Sequence, residues 1–148
     1  MAISRGAGTE IIRSVHFEDV DNTAEKIIIG VQHHIYTVLS VICYCANRNA
    51  SENAYLGIQG YDSNAGTTNQ THWLSKISCA QGETFVFNDK FSFNGFEPTD
   101  FAGPMDNATK QDAIADQGSS VAQYLFFQTD GGSTQYDLTV SFIDQNNA

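Results

Sequence analysis

His34-Ile-Tyr-Thr-Val-Leu-Ser-Val-Ile-Cys-Tyr-Cys-Ala46 is almost wholly β-branched or aromatic. Such residues fit a pleated surface better than a helix, so the stretch predicts a long strand. A strict two-residue period puts Ile35, Thr37, Leu39, Val41, Cys43 and Cys45 on one face. Tyr36, Val38, Ser40, Ile42 and Tyr44 fall on the other. Both faces are mostly apolar, which predicts a central strand covered on both sides or a strand at an interface.

Outward from this strand the pattern repeats in shorter units. Residues 9–17 read as a first strand, and Lys26-Ile-Ile-Ile-Gly-Val31 as a short buried one. Further strands are predicted at 54–61, 71–79 and 83–88, with a short run from Phe91. Residues 121–129 and 135–143 look like a final hairpin around Asp130-Gly-Gly-Ser133. In its second arm Tyr136, Leu138, Val140 and Phe142 alternate with polar residues, so one face is wet. Eight or nine short strands with frequent turn signals predict an all-β chain, a single β-sandwich of jelly-roll or Ig-like type over 9–148. Residues 1–8, with Gly6 and Gly8, read as a flexible N-terminal arm. The exception to the β pattern is 96–120, a long acidic connection with both prolines and five carboxylates against one lysine. Within it 107–117 predicts a short helix, capped by Asn107 and stopped by Gly118. Long connections in compact domains are often functional.

Composition narrows the function. Seventeen acidic against seven basic side chains leave a net charge of −10 in 148 residues. That argues against a nucleic-acid partner, which asks for a basic footprint, and against anionic membranes. Only 16% of residues are charged, while Asn, Gln, Ser and Thr total 45. A surface poor in Lys and Glu suits packing against neighbours. The start of the chain has no apolar core of a secretory signal, so export by a signal peptide is not expected. Cys43, Cys45 and Cys79 sit in apolar runs and read as buried free thiols of a reducing compartment.

Chemistry-bearing motifs are weak. His33 and His34 are adjacent, so in a strand they face opposite ways and do not share one metal. A Cys79–His72 nucleophile pair needs an electropositive setting that an acidic chain does not favour. Asp19, Asp21 and Asn22, and separately Asp100 and Asp106, offer oxygens for Ca²⁺ but lack the rest of a calcium loop. No metal, no cofactor and no enzyme activity are therefore expected. Trp73, Tyr55, Tyr61 and Tyr124 are candidates for a sugar-stacking platform.

Four stretches carry a resemblance. Gly8-Thr-Glu-Ile-Ile-Arg-Ser-Val-His-Phe-Glu-Asp19, Gly30-Val-Gln-His-His-Ile-Tyr-Thr-Val-Leu-Ser-Val41, Glu83-Thr-Phe-Val-Phe-Asn-Asp-Lys-Phe-Ser-Phe-Asn-Gly95 and Thr139-Val-Ser-Phe-Ile-Asp-Gln-Asn-Asn-Ala148 are similar to small virion structural proteins of tailed bacteriophages of the marine cyanobacterial type. The resemblance implies a virion location after assembly in the host cytoplasm. It implies a capsid decoration, or cement, protein that contacts the major capsid protein or other virion proteins, as a homo-oligomer (trimer or dimer). A neck or tail component, or a receptor- or carbohydrate-binding β-sandwich, is the alternative. Candidate contact residues are Ile3 and Arg5 in the arm, Phe96, Phe101 and Met105 in the acidic connection, and Tyr36 and Tyr44 on the long strand. Removing residues 1–8 is expected to lower occupancy on particles and leave the thermal unfolding midpoint unchanged. Undiminished occupancy would remove the arm from the contact.

Overall fold

A computed structural model describes residues 6–99, 103–116 and 120–147. The strands are β1 (Thr9–Val20), β2 (Glu25–Ile29), β3 (His34–Asn47), β4 (Ala54–Asp62), β5 (Thr67–Ile77), β6 (Thr84–Phe87), β7 (Phe91–Asn94) and β8 (Phe96–Pro98). The helix α1 (Ala108–Asp116) follows, then β9 (Ser120–Ala122), β10 (Tyr124–Thr129) and β11 (Gln135–Asn146). All pairings are antiparallel. One sheet runs β1-β11-β3, with β6 and β7 in succession along the far edge of β3. The second runs β2-β10-β4-β5, and β8-β9 form a small ribbon. The inner faces of the two large sheets share one core, with Val38, Val41, Leu138 and Val140 from one and Leu56, Leu125 and Phe127 from the other. The chain is thus all-β and sandwich-like, with eleven strands among the described residues where the sequence predicts eight or nine.

The long strand departs from its predicted alternation. Tyr36 and Val38 are buried, and so are Val41, Cys43 and Cys45. The two sets have opposite parity. They share a face because Ser141 pairs with Ser40 while the next residue, Phe142, pairs with Val38, which leaves Leu39 as an extra residue. A bulge of one residue inverts the facing of everything beyond it. One face of β3 therefore lines the core throughout, and Tyr44 and Ile42 look outward. Tyr36 is corrected accordingly: it belongs to the core, where it stacks on Phe93 at 5.4 Å and its hydroxyl accepts the Val31 N–H at 3.1 Å.

The predicted final hairpin is also corrected. β10 lies in the four-stranded sheet and β11 in the other, so residues 130–134 arch across the sandwich. Phe127 and Tyr136 meet across the core with ring centroids 5.5 Å apart. The arch is braced from inside: Thr129 Oγ1 donates to Gly131 O at 2.8 Å, and buried Thr134 Oγ1 accepts the Asn49 N–H at 3.0 Å. Turn residues between two apolar runs do not distinguish an arch from a hairpin, because both bury the same phase. The helix matches its expectation at its start, with Asn107 Oδ1 accepting the Lys110 N–H at 3.0 Å as an N-cap; the expected stop at Gly118 lies outside the described residues.

The segment before β3 crosses the segment after β7 at two glycines. Gly30 N–H donates to Gln123 O, Gln123 N–H to Gly95 O and Gly95 N–H to His34 O, each at 2.8 Å. A Cβ on Gly30 would overlap the Gly95 carbonyl, and one on Gly95 the Val31 carbonyl. Both obstacles are backbone and do not yield as a side chain would. Gly95→Ala is expected to cost at least about 2 kcal/mol, read from urea unfolding. Gly6→Ala, where a Cβ meets nothing, is the control expected to change nothing.

Candidate functional site

The outer face of the five-stranded sheet is built of cross-strand rows. Thr84, Tyr44 and Asp137 make one row, and Val86, Ile42, Thr139 and His16 the next. Ser40, Ser141 and Ser14 follow, then Ser92, Thr37, Ile143 and Ile12. Hydroxyls pair within the rows: Ser14 with Ser141 at 3.0 Å and Thr37 with Ser92 at 2.9 Å, while His16 Nδ1 bonds Thr139 Oγ1 at 3.0 Å. Ile12 is 72% exposed, and Ile42, Tyr44 and Val86 are also exposed. Asp137 supplies the one carboxylate of these rows, and it accepts the Asp19 N–H at 3.0 Å. On β1, Glu10 shares the outward phase of Ile12, Ser14 and His16, and Glu18 lies 3.6 Å from His16. On a chain of net charge −10, the middle of the face is thus poor in charge, with its polar groups largely paired among themselves, and its β1 edge is acidic.

A cleft of about 310 Å³ opens where edge strands β1 and β2 face each other. Val15, Ile28, Val31, Tyr36 and Phe142 make its apolar walls, and Arg13, His34 and Asp144 its polar end. Asp144 occupies the inward phase of β11, two residues after Phe142, and is 4% exposed. Its Oδ1 lies 2.7 Å from His34 Nδ1 and its Oδ2 3.7 Å from Arg13. A buried carboxylate requires such partners, because its desolvation is costly. The sequence carried the signal: the apolar alternation Tyr136, Leu138, Val140, Phe142 arrives at an aspartate. His33 adopts φ 66° in the turn before β3.

The other candidates are dispersed. Ile3, Arg5 and Phe101 lie outside the described residues. Phe96 is half-buried in β8, and Met105 is exposed before α1. Asp106 bonds Lys110 at 2.9 Å, and that cation holds its carboxyl below the usual range. Asp21 accepts the Thr23 N–H at 2.9 Å as a turn cap, and Asp100 lies outside the described residues. Among the described residues no three His, Cys, Asp or Glu side chains converge on a metal position. Burial raises the Glu97 carboxyl, while the Tyr61 N–H, 2.8 Å away, and His72 lower it. The charge of His72 thus acts on Glu97, whereas the Cys79 N–H donates to the Tyr136 hydroxyl at 3.3 Å, and burial is what chiefly raises the Cys79 thiol. Tyr55, Trp73 and Tyr124 share the outer face of the four-stranded sheet.

No family model matches the chain, and no curated protein does. Among solved structures, one similar chain is from the Bacillus endospore appendages, described as a novel family of disulfide-linked pili. The two are 12% identical, with 100% of this chain and 97% of that one covered at a TM-score of 0.43.

The three cysteines are free and buried. Burial pushes the Cys43 thiol up to about 12, with Cys79 adding to the shift. Burial likewise pushes the Tyr136 phenol up to about 12. A thiol kept protonated is neither nucleophile nor ligand. The sign of the linkage follows. Above the ordinary thiol value of 9.0 the unfolded chain releases a proton that the folded chain keeps. Stability is full below that value and falls as pH rises from there toward about 12. Urea midpoints are expected to drop steadily above pH 9, and Cys43→Val is expected to shallow that slope.

Proposed function

We propose that this chain is a structural protein of a phage particle that decorates the shell, as the resemblance of its sequence implies. The observation that supports this reading is the outer face of the five-stranded sheet. It exposes Ile12, Ile42, Tyr44 and Val86 in a field of paired hydroxyls. Long exposed sheet faces of this composition invite association. The face is four strands wide and about 40 Å long, on the order of 800 Å² at the standard strand spacings. That matches the area each partner contributes to a stable interface. Seated on the major capsid protein or on a second copy, the sheet would raise the work of parting neighbouring subunits by about 25 cal/mol for each Å² of apolar surface buried. The function is mechanical in this reading, and the carboxylates kept at turns and edges repel packaged nucleic acid.

Ile42→Lys combined with Val86→Glu places charge in the middle of the face, away from the core. The pair is expected to leave the unfolding free energy within about 0.5 kcal/mol of the parent. It is expected to lower co-sedimentation with particles at least tenfold. Parental occupancy would show that this face is not the contact.

A further inference from the structure

The two broad faces of the sandwich differ in chemistry. On the four-stranded sheet the register sets Lys26, Phe126, Gly57 and Trp73 in one row across β2, β10, β4 and β5. Ile29, Tyr124, Gln59 and Thr71 flank it on one side, and Gln128, Tyr55 and Lys76 on the other. Gly57 leaves the centre of the row low. A Cβ there would press on both the Trp73 and Phe126 rings at 3.0 Å. The indole therefore lies down over the glycine, with Phe126 at 5.3 Å and Tyr55 at 5.2 Å as its braces. Phe126 is covered to 5% exposure, while Trp73 keeps 51%. A large ring fixed by its neighbours and open on one side is a stacking surface with little ordering entropy left to lose.

What surrounds the ring defines the ligand. Gln59 and Thr71 already bond each other at 3.4 Å, and Tyr124 bonds Gln59, so amide and hydroxyl groups stand fixed at the platform's rim. Lys26 rests over the Tyr124 ring, 4.5 Å from its centroid, and Lys76 pairs across from Tyr55. The three rows hold two ammonium groups and no carboxylate, in a chain with seventeen acids and seven bases. We propose that this platform binds an acidic glycan. A sugar ring lays its apolar C–H face on Trp73, its hydroxyls meet the rim, and its carboxylates face Lys26 and Lys76. The four-strand row spans roughly 14 Å, enough for a short oligosaccharide rather than one ring.

Trp73 is the chain's single tryptophan, so its emission reports this site alone. The full chain is titrated with tetragalacturonate and with the fully methyl-esterified tetramer, which keeps the ring and loses the charge. A saturable change is expected with the acid, at a Kd of about 1 mM or tighter, and at least tenfold weaker binding of the ester. Lys26→Gln with Lys76→Gln is expected to bring the acid down to the ester's affinity with the emission of the free protein unchanged. Trp73→Phe keeps Phe126 covered and is expected to weaken both ligands at least threefold in NMR titrations. No saturable change with the acid up to about 10 mM, or equal affinity for acid and ester, overturns the proposal. Both readouts use the isolated chain, so they are independent of particle occupancy.

Discussion

The pairing of β3 with β11 is the constraint on which the rest of the structure depends. These two strands run side by side from His34 to Asn47 and occupy the middle of the larger sheet. The bulge at Leu39 lets one strand keep its inner face toward the core along its whole length. Without it, either Tyr36 and Val38 or Val41, Cys43 and Cys45 would turn to solvent. The same bulge sends Ile42 and Tyr44 outward beside Thr139 and Asp137, which creates the face proposed for docking. The continuous core face and the outward row of Ile42 and Tyr44 are thus two consequences of one inserted residue.

The distribution of charge separates the two broad faces from the remainder of the molecule. Carboxylates concentrate in turns, along edge strand β1 and around α1, as Glu18, Asp19, Asp62, Asp106 and Asp112 illustrate. The central rows of the larger sheet keep neutral hydroxyls and aliphatics, and those of the smaller keep aromatics, amides and two lysines. A chain of net charge −10 repels copies of itself in most orientations. The buried Asp144 does not add to that repulsion, because Arg13 and His34 stand against its carboxylate.

Much of the fold was legible from local chemistry. β-Branched and aromatic runs marked the strands, Asn107 marked the helix start, and the clean alternation of 136–142 marked an inner face. What failed did so for physical reasons. A bulge has no signature in an apolar run such as Val38-Leu-Ser-Val41, since either phase is compatible with burial. An arch and a hairpin use the same glycines, so 130–133 could not tell which sheet β11 would join. Trp73, Tyr55, Tyr61 and Tyr124 were named from the sequence as candidates for one platform, but which of them share a face follows only from the pairing of β10, β4 and β5. Asp144 was missed because the strand was expected to end at 143, three residues short of its end at Asn146. The Gly30–Gly95 crossing joins residues far apart in the chain, and neither glycine sits at a turn signal strong enough to single it out.

The most direct measurement is the copy number of this chain in intact, purified phage particles from its source, by quantitative mass spectrometry against the major capsid protein. A shell decoration protein is expected in numbers comparable to the major subunit. Absence from the particle would contradict the structural role, and a handful of copies would contradict its place on the shell.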